Sequence, residues 1–164
     1  MRNQIRSLIL LSVVAACAHR DPTSSPVVRV DDFGVLNGAK IELVEEGGIA
    51  ALLTNRVVRH DDRFFLYTQR HLCGQTCPAP LDSITGTLSS AATDSLFSVV
   101  WAQSPFNLKD DYGTTNGAAD MFIYTVRMTF DGTTKTIRAD DGTMPPQMRQ
   151  IVDVIRGTIS AARK

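Results

Sequence analysis

The chain has 164 residues, with 17 Lys and Arg against 17 Asp and Glu, 43% hydrophobic residues and three cysteines. Balanced charge without a basic cluster argues against a nucleic-acid partner, and the length suits one domain with a full hydrophobic core. After the N-terminal segment no apolar stretch reaches the roughly 20 residues of a spanning helix, which argues against a multipass membrane protein.

Arg2 and Arg6 lead into the apolar run Ile5 to Ala16, which has the make-up of an export signal and is too short to span a bilayer. Val14-Ala15-Ala16-Cys17 resembles the bacterial lipobox: small residues fit the peptidase, and the Cys17 thiol is the nucleophile that takes the lipid. An ordinary signal peptide with an incidental cysteine is the alternative. Residues 1–16 are thus read as a lipoprotein signal peptide, 17–39 as a lipidated N-terminus and tether, and 40–164 as the folded domain. Within the tether, His19 to Pro26 is polar and rich in Ser, Thr and Pro. Loss of Arg2 and Arg6 leaves a nearly neutral chain held at the envelope by lipid. Ala18 stands where inner-membrane retention in enteric bacteria is associated with aspartate, so an outer-membrane location is favoured.

Lys40 to Val44 and part of Ala50 to Arg59 alternate polar and apolar residues, which predicts two strands joined through a Glu45-Glu46-Gly47-Gly48 turn. Asp61-Asp62 is a turn candidate before a third, aromatic strand at Arg63 to Thr68. Cys73 and Cys77 follow. An even pair in an exported chain suggests a disulfide that pins a short local turn, while zinc held by His71, Cys73 and Cys77 with His60 is the alternative. Leu81 to Leu88 is a candidate fourth strand.

The period changes after Leu88: Ser89 or Ser90 caps a helix with Ala92, Leu96, Val99 and Val100 on one face. Ser104 to Gly117 is a long polar loop. Phe122, Tyr124, Val126, Met128 and Phe130 then alternate along the strongest strand, Asp131-Gly132 makes a two-residue hairpin turn, and Thr133 to Ala139 returns. Pro145-Pro146 opens a last helix with a buried stripe of Met148, Ile151, Val152, Ile155 and Ile159, leaving Arg149, Gln150, Asp153 and Arg156 outside. The order predicts an α+β domain: a largely antiparallel sheet with two helices packed on one face.

The three histidines, His19, His60 and His71, have no nucleophile motif beside them, and His60 and His71 are expected at exposed strand ends. The paired carboxylates Asp31-Asp32, Glu45-Glu46, Asp61-Asp62, Asp110-Asp111 and Asp140-Asp141 are expected to be solvated in turns, although two such groups facing one sugar are what glycoside hydrolysis needs. Asp110-Asp111-Tyr112-Gly113 lacks the spaced ligands of a calcium loop. No catalytic residues, metal or cofactor are assigned, and the chain is read as a non-enzymatic, monomeric binding protein.

Three pieces in order, Ile41 to Ala50, Phe122 to Val126, and Lys135 to Pro146 before the final helix, together resemble the protealysin inhibitor emfourin and its relatives. The resemblance spans roughly Lys40 to Gly157 and implies an inhibitor of thermolysin-like metalloproteases. The lipobox and the Cys73/Cys77 insertion depart from the mostly short, soluble relatives. The contact loop implied is Glu45, Glu46, Gly47, Gly48 and Ile49, entering the protease cleft, with Asp110, Asp111 and Tyr112 as a second contact. A plain turn or bulge at Gly47-Gly48 is the alternative, as is a non-catalytic envelope lipoprotein that serves as a protein-interaction module.

Overall fold

The computed structural model describes residues 38–48, 51–70, 82–115 and 120–163. Its elements are β1 (Lys40–Gly47), β2 (Leu52–Arg59), β3 (Arg63–Arg70), β4 (Asp82–Thr87), α1 (Ser90–Ala102), a 3₁₀ turn (Pro105–Asn107), β5 (Phe122–Phe130), β6 (Thr133–Asp140) and α2 (Pro146–Ala162). The strands form one six-stranded sheet ordered β4-β3-β2-β1-β5-β6. Every neighbouring pair is antiparallel. This is the α+β class that the sequence predicts.

Side chains alternate across the sheet, and the register makes one face continuous: Leu43 of β1 lies opposite Val126 of β5, which lies opposite Ile137 of β6. Ile41, Val58, Phe64, Leu66, Met128 and Ala139 are buried with them, against Leu96, Phe97 and Val100 of α1 and the expected five residues of α2. All belong to one core. A fully buried Ile or Leu contributes about 1.5–3 kcal/mol, so this face is what fixes register.

Ser89 caps α1, its hydroxyl accepting from the Ala92 amide at 3.2 Å. The buried stripe of α1 is Thr93, Leu96, Phe97 and Val100, so the expected stripe turns by one position and leaves Ala92 and Val99 half-buried. Phe97 causes the rotation, filling the space between His60 and Phe130 with edge-on contacts at 5.4 and 6.0 Å. His60 is therefore half-buried rather than an exposed strand end. At the hairpin, Asp131 and Gly132 both take positive φ, 46° and 73°, as a two-residue turn requires.

The β1–β2 boundary differs from the expected one. β1 continues through Glu45 and Glu46 to Gly47, so the turn begins only at Gly48. Glu45 stays in phase with Ile41 and Leu43, and cross-strand partners on both sides, Thr54 and Tyr124, keep it in the ladder.

Candidate functional site at one sheet end

The end of β1, the starts of β2 and β5, the end of β6 and the β6–α2 turn stand at the same end of the sheet. Cys17, Ile49, His71, Cys73 and Cys77 lie outside the described residues, although Arg70 and Asp82, which flank the cysteine segment, also stand near this end.

Two glycines shape the β1–β2 connection. Gly47 has φ +129°, and a Cβ there would meet the Met121 carbonyl oxygen at 2.4 Å. Gly48 has φ +69°, and its Cβ would stand 2.8 Å from the Phe122 ring. The Gly48 amide donates to that same Met121 carbonyl at 3.4 Å, and the Ala51 amide donates to Gly48 O at 2.9 Å. Glycine is required here because β5 packs against the backbone itself.

Behind the glycines lies a polar network in the core. Glu45 is 4% exposed, and its carboxylate accepts from Arg156 Nε at 2.7 Å and from a second nitrogen of that guanidinium. Arg56, across β2, forms the other ion pair. Burial, with the neighbouring Arg156 and Arg163 guanidiniums, pulls Arg56 down to about 10. The Arg156 guanidinium also lies over the Tyr124 ring, 5.3 Å from its centroid. Tyr124 in turn donates to Asp141 at 2.7 Å, and the Phe122 amide donates to the other oxygen of that carboxylate at 2.8 Å. Burial first, and then the Asp141 acceptor, raise the Tyr124 phenol above its ordinary value.

Three expectations are corrected by this network. Glu45 is a buried structural carboxylate, because its place in the strand alternation points it at α2; it cannot reach a partner without unfolding the clamp. Arg156 is half-buried and turned inward rather than outside, since Glu45 needs a counter-charge. Asp140 is 2% exposed rather than solvated. It accepts from the Thr143 amide at 2.8 Å, the Gly142 amide at 2.9 Å and the Thr143 hydroxyl at 2.9 Å. The Thr115 amide also donates to it. That Thr115 bond, with Thr143, holds the Asp140 carboxyl well below its usual range despite burial.

The second candidate contact is joined to the sheet edge. The Arg138 amide donates to Asp110 O at 2.8 Å and the Tyr112 amide to Arg138 O at 2.9 Å, so residues 110–112 add a short parallel piece to β6. The Asp110 carboxylate pairs with Lys135, and Asp111 stands 3.8 Å from Arg138 while accepting from the Gly113 amide at 2.7 Å. Tyr112 is half-buried against the core. These carboxylates are committed to cations and backbone, and among the described residues no cluster of three or more His, Cys, Asp or Glu stands ready for a metal ion.

Glu46, Gly47 and Gly48 are therefore separated from the 110–112 segment by β5 and β6, about 14 Å at ordinary strand spacing. A partner face of standard size, about 800 Å², spans both. Glu46 is half-buried on the sheet face away from the helices, opposite Leu53 and Ile123. The residues that sequence reasoning missed are Arg56, Arg156, Tyr124 and Asp141 as one unit. Phase was the available signal: Arg56 alternates with buried Val58, and Arg156 follows buried Val152 by one turn.

No protein-family model matches the chain, and no curated protein matches it significantly.

Proposed function

We propose that this is a lipid-anchored envelope protein, held through Cys17 in the outer membrane, that inhibits a thermolysin-like metalloprotease by presenting the β1–β2 connection to its cleft. The observation that carries the reading is the immobilised glycine backbone: Gly47 and Gly48 are pressed onto Met121 and Phe122, with the Glu45 clamp behind them. A segment ordered before binding gives up little entropy on entering a cleft, and it resists the distortion that productive cleavage requires. The contact set narrows to Glu46, Gly47, Gly48 and Ile49, with 110–112 at the rim.

The test is titration of a thermolysin-like protease with the purified lipoprotein in detergent. Stoichiometric inhibition is expected, with Glu46→Arg weakening it at least tenfold, and absence of inhibition across several such proteases removes the reading. Mass spectrometry of the mature N-terminus checks the anchor at Cys17. The second reading, an interaction module, is favoured by the sheet face that neither helix covers among the described residues, with its half-buried Val57, Phe65 and Tyr67. Capture of one dominant non-protease partner from solubilised membranes would select it.

A further inference from the structure

Both helices pack on one side of the sheet, and among the described residues no helix or strand covers the other side. The pairing registers lay that open face out in rows across the strands. At the Gly47 end, Glu46 stands between Leu53 of β2 and Ile123 of β5, with Gln69 of β3 beyond Leu53. The next two rows carry Val44, Asn55 and Tyr67, then Glu42, Val57 and Phe65. At the far end Lys40 lies opposite Arg59, and Arg63 begins β3 beside them. The middle is largely apolar: Phe65 and Tyr67 stack at 6.2 Å, next to a groove of about 430 Å³ lined by Val57, Phe65, Arg59 and Arg63.

Charge is divided unevenly along this face. Glu42 is satisfied where it stands, accepting from Asn55 Nδ2 at 3.0 Å and from Arg127 at 2.9 Å, and Arg138 on β6 stands 3.8 Å from Asp111. Lys40 reaches only the far side of Glu42, at 4.0 Å. Arg59 and Arg63, 54% and 74% exposed, share Asp61 at 3.2 and 3.9 Å. Asp62 is turned away to the Ser90 hydroxyl of α1 at 2.7 Å, and Asp131 is exposed in the β5–β6 turn beyond Lys40. Three cations are thus gathered around one turn carboxylate at this end. Glu46, at the other end, forms no ion pair among the described residues.

A face with opposite charges at its two ends is complementary to itself. Two copies can meet through it about a two-fold axis that runs along the strands or across them. The first axis sets Glu46 against Glu46 and the cations against their own counterparts. The second turns one sheet end for end, so that β1 lies over β1, Glu46 of each copy meets Lys40 and Arg59 of the other, and Leu53 and Tyr67 come over the groove. We propose that the protein pairs with a second copy in this second arrangement, sheet face on sheet face. Sheets packed this way stand about 10 Å apart, within reach of Glu and Arg side chains extended from both sides. The six strands span five spacings and about eight residues, an outline of about 24 by 26 Å. Side-chain relief raises its roughly 600 Å² toward the roughly 800 Å² per partner of a standard interface. The pairing stands whether or not the β1–β2 connection enters a protease cleft, and because both use Glu46, one chain does one or the other.

Sedimentation velocity of the purified full chain in density-matched detergent, over a range of concentrations, tests this. A monomer–dimer equilibrium is expected, independent of the detergent-to-protein ratio. Glu46→Arg alone, and Lys40→Glu/Arg59→Glu alone, should each weaken it at least tenfold, because each sets like charges together at both contacts. An equimolar mixture of the two variants should recover dimers, since both contacts then join opposite charges, and the recovery also shows that both variants are folded. A monomer at every concentration up to about 100 µM overturns the proposal. So does dimerisation that either variant leaves intact, which points to the lipid or to another face. Failure of the mixture to recover dimers overturns it as well.

Discussion

Replacing Glu45 by alanine tests the architecture behind the glycine connection most directly. The substitution leaves two guanidiniums without their shared carboxylate. Arg56, with its side chain 21% exposed, loses a largely dehydrated partner, and breaking such a buried pair costs about 3 kcal/mol or more. Arg156, at 39%, can turn toward water, so its share is screened to about 1 kcal/mol at most. The total is about 3–4 kcal/mol, a fall in Tm on the order of 10 °C for a domain of this size. Urea unfolding followed by far-UV circular dichroism measures it. The pair Glu45→Met/Arg56→Leu should recover most of the loss, because apolar replacement of both partners leaves no buried charge unpaired. A loss below about 1 kcal/mol for Glu45→Ala, or failure of the double variant to recover any stability, would refute the reasoning.

Three further outcomes follow from the same structure. The folded Asp140 carboxyl holds its proton more weakly than its ordinary 3.8, so its stabilisation is complete above that value and is lost as pH falls below about 4. Asp140→Asn should lower the urea midpoint at pH 7 and shrink the gap between midpoints at pH 7 and pH 3. Gly86→Ala places a methyl 2.5 Å from the Phe64 ring and should cost about 1–3 kcal/mol, with the near-UV aromatic signal changed. Gly132→Val forces a branched residue to φ +73° in the β5–β6 turn and should cost about 1–2 kcal/mol in thermal unfolding, with no change in inhibition.

The strands and helices were legible because their apolar phases are unambiguous. β5 alternates from Phe122 to Phe130, α2 repeats at helical spacing from Met148 to Ile159, and Asp131-Gly132 tolerates the positive φ of a tight turn. The sheet end was less legible, and for one physical reason. A charged residue in an apolar phase looks like part of a turn when glycines follow it, although the phase of Ile41 and Leu43 already fixes the direction of Glu45. Its counter-charges are contributed by β2 and α2, and Arg156 is 111 residues away in the chain, beyond any local pattern. Asp140 was misplaced similarly, because the amides that satisfy it come from a turn and a loop whose approach depends on the assembled sheet. The 110–112 segment carried no strand signal at all; it pairs because β6 offers a free edge.

That short pairing also governs what the molecule can become at high concentration. A sheet with two bare edges can recruit copies at both sides and grow into a filament, whereas a sheet blocked on one side cannot. Asp110 and Tyr112 occupy the backbone groups of Arg138, and the Lys135 and Asp110 side chains cross over the same flank. β4 forms the opposite edge, and its outer backbone groups pair with no other strand among the described residues. The two edges of the sheet therefore differ: β6 is occupied at Arg138 by the chain itself, and the other edge ends at β4.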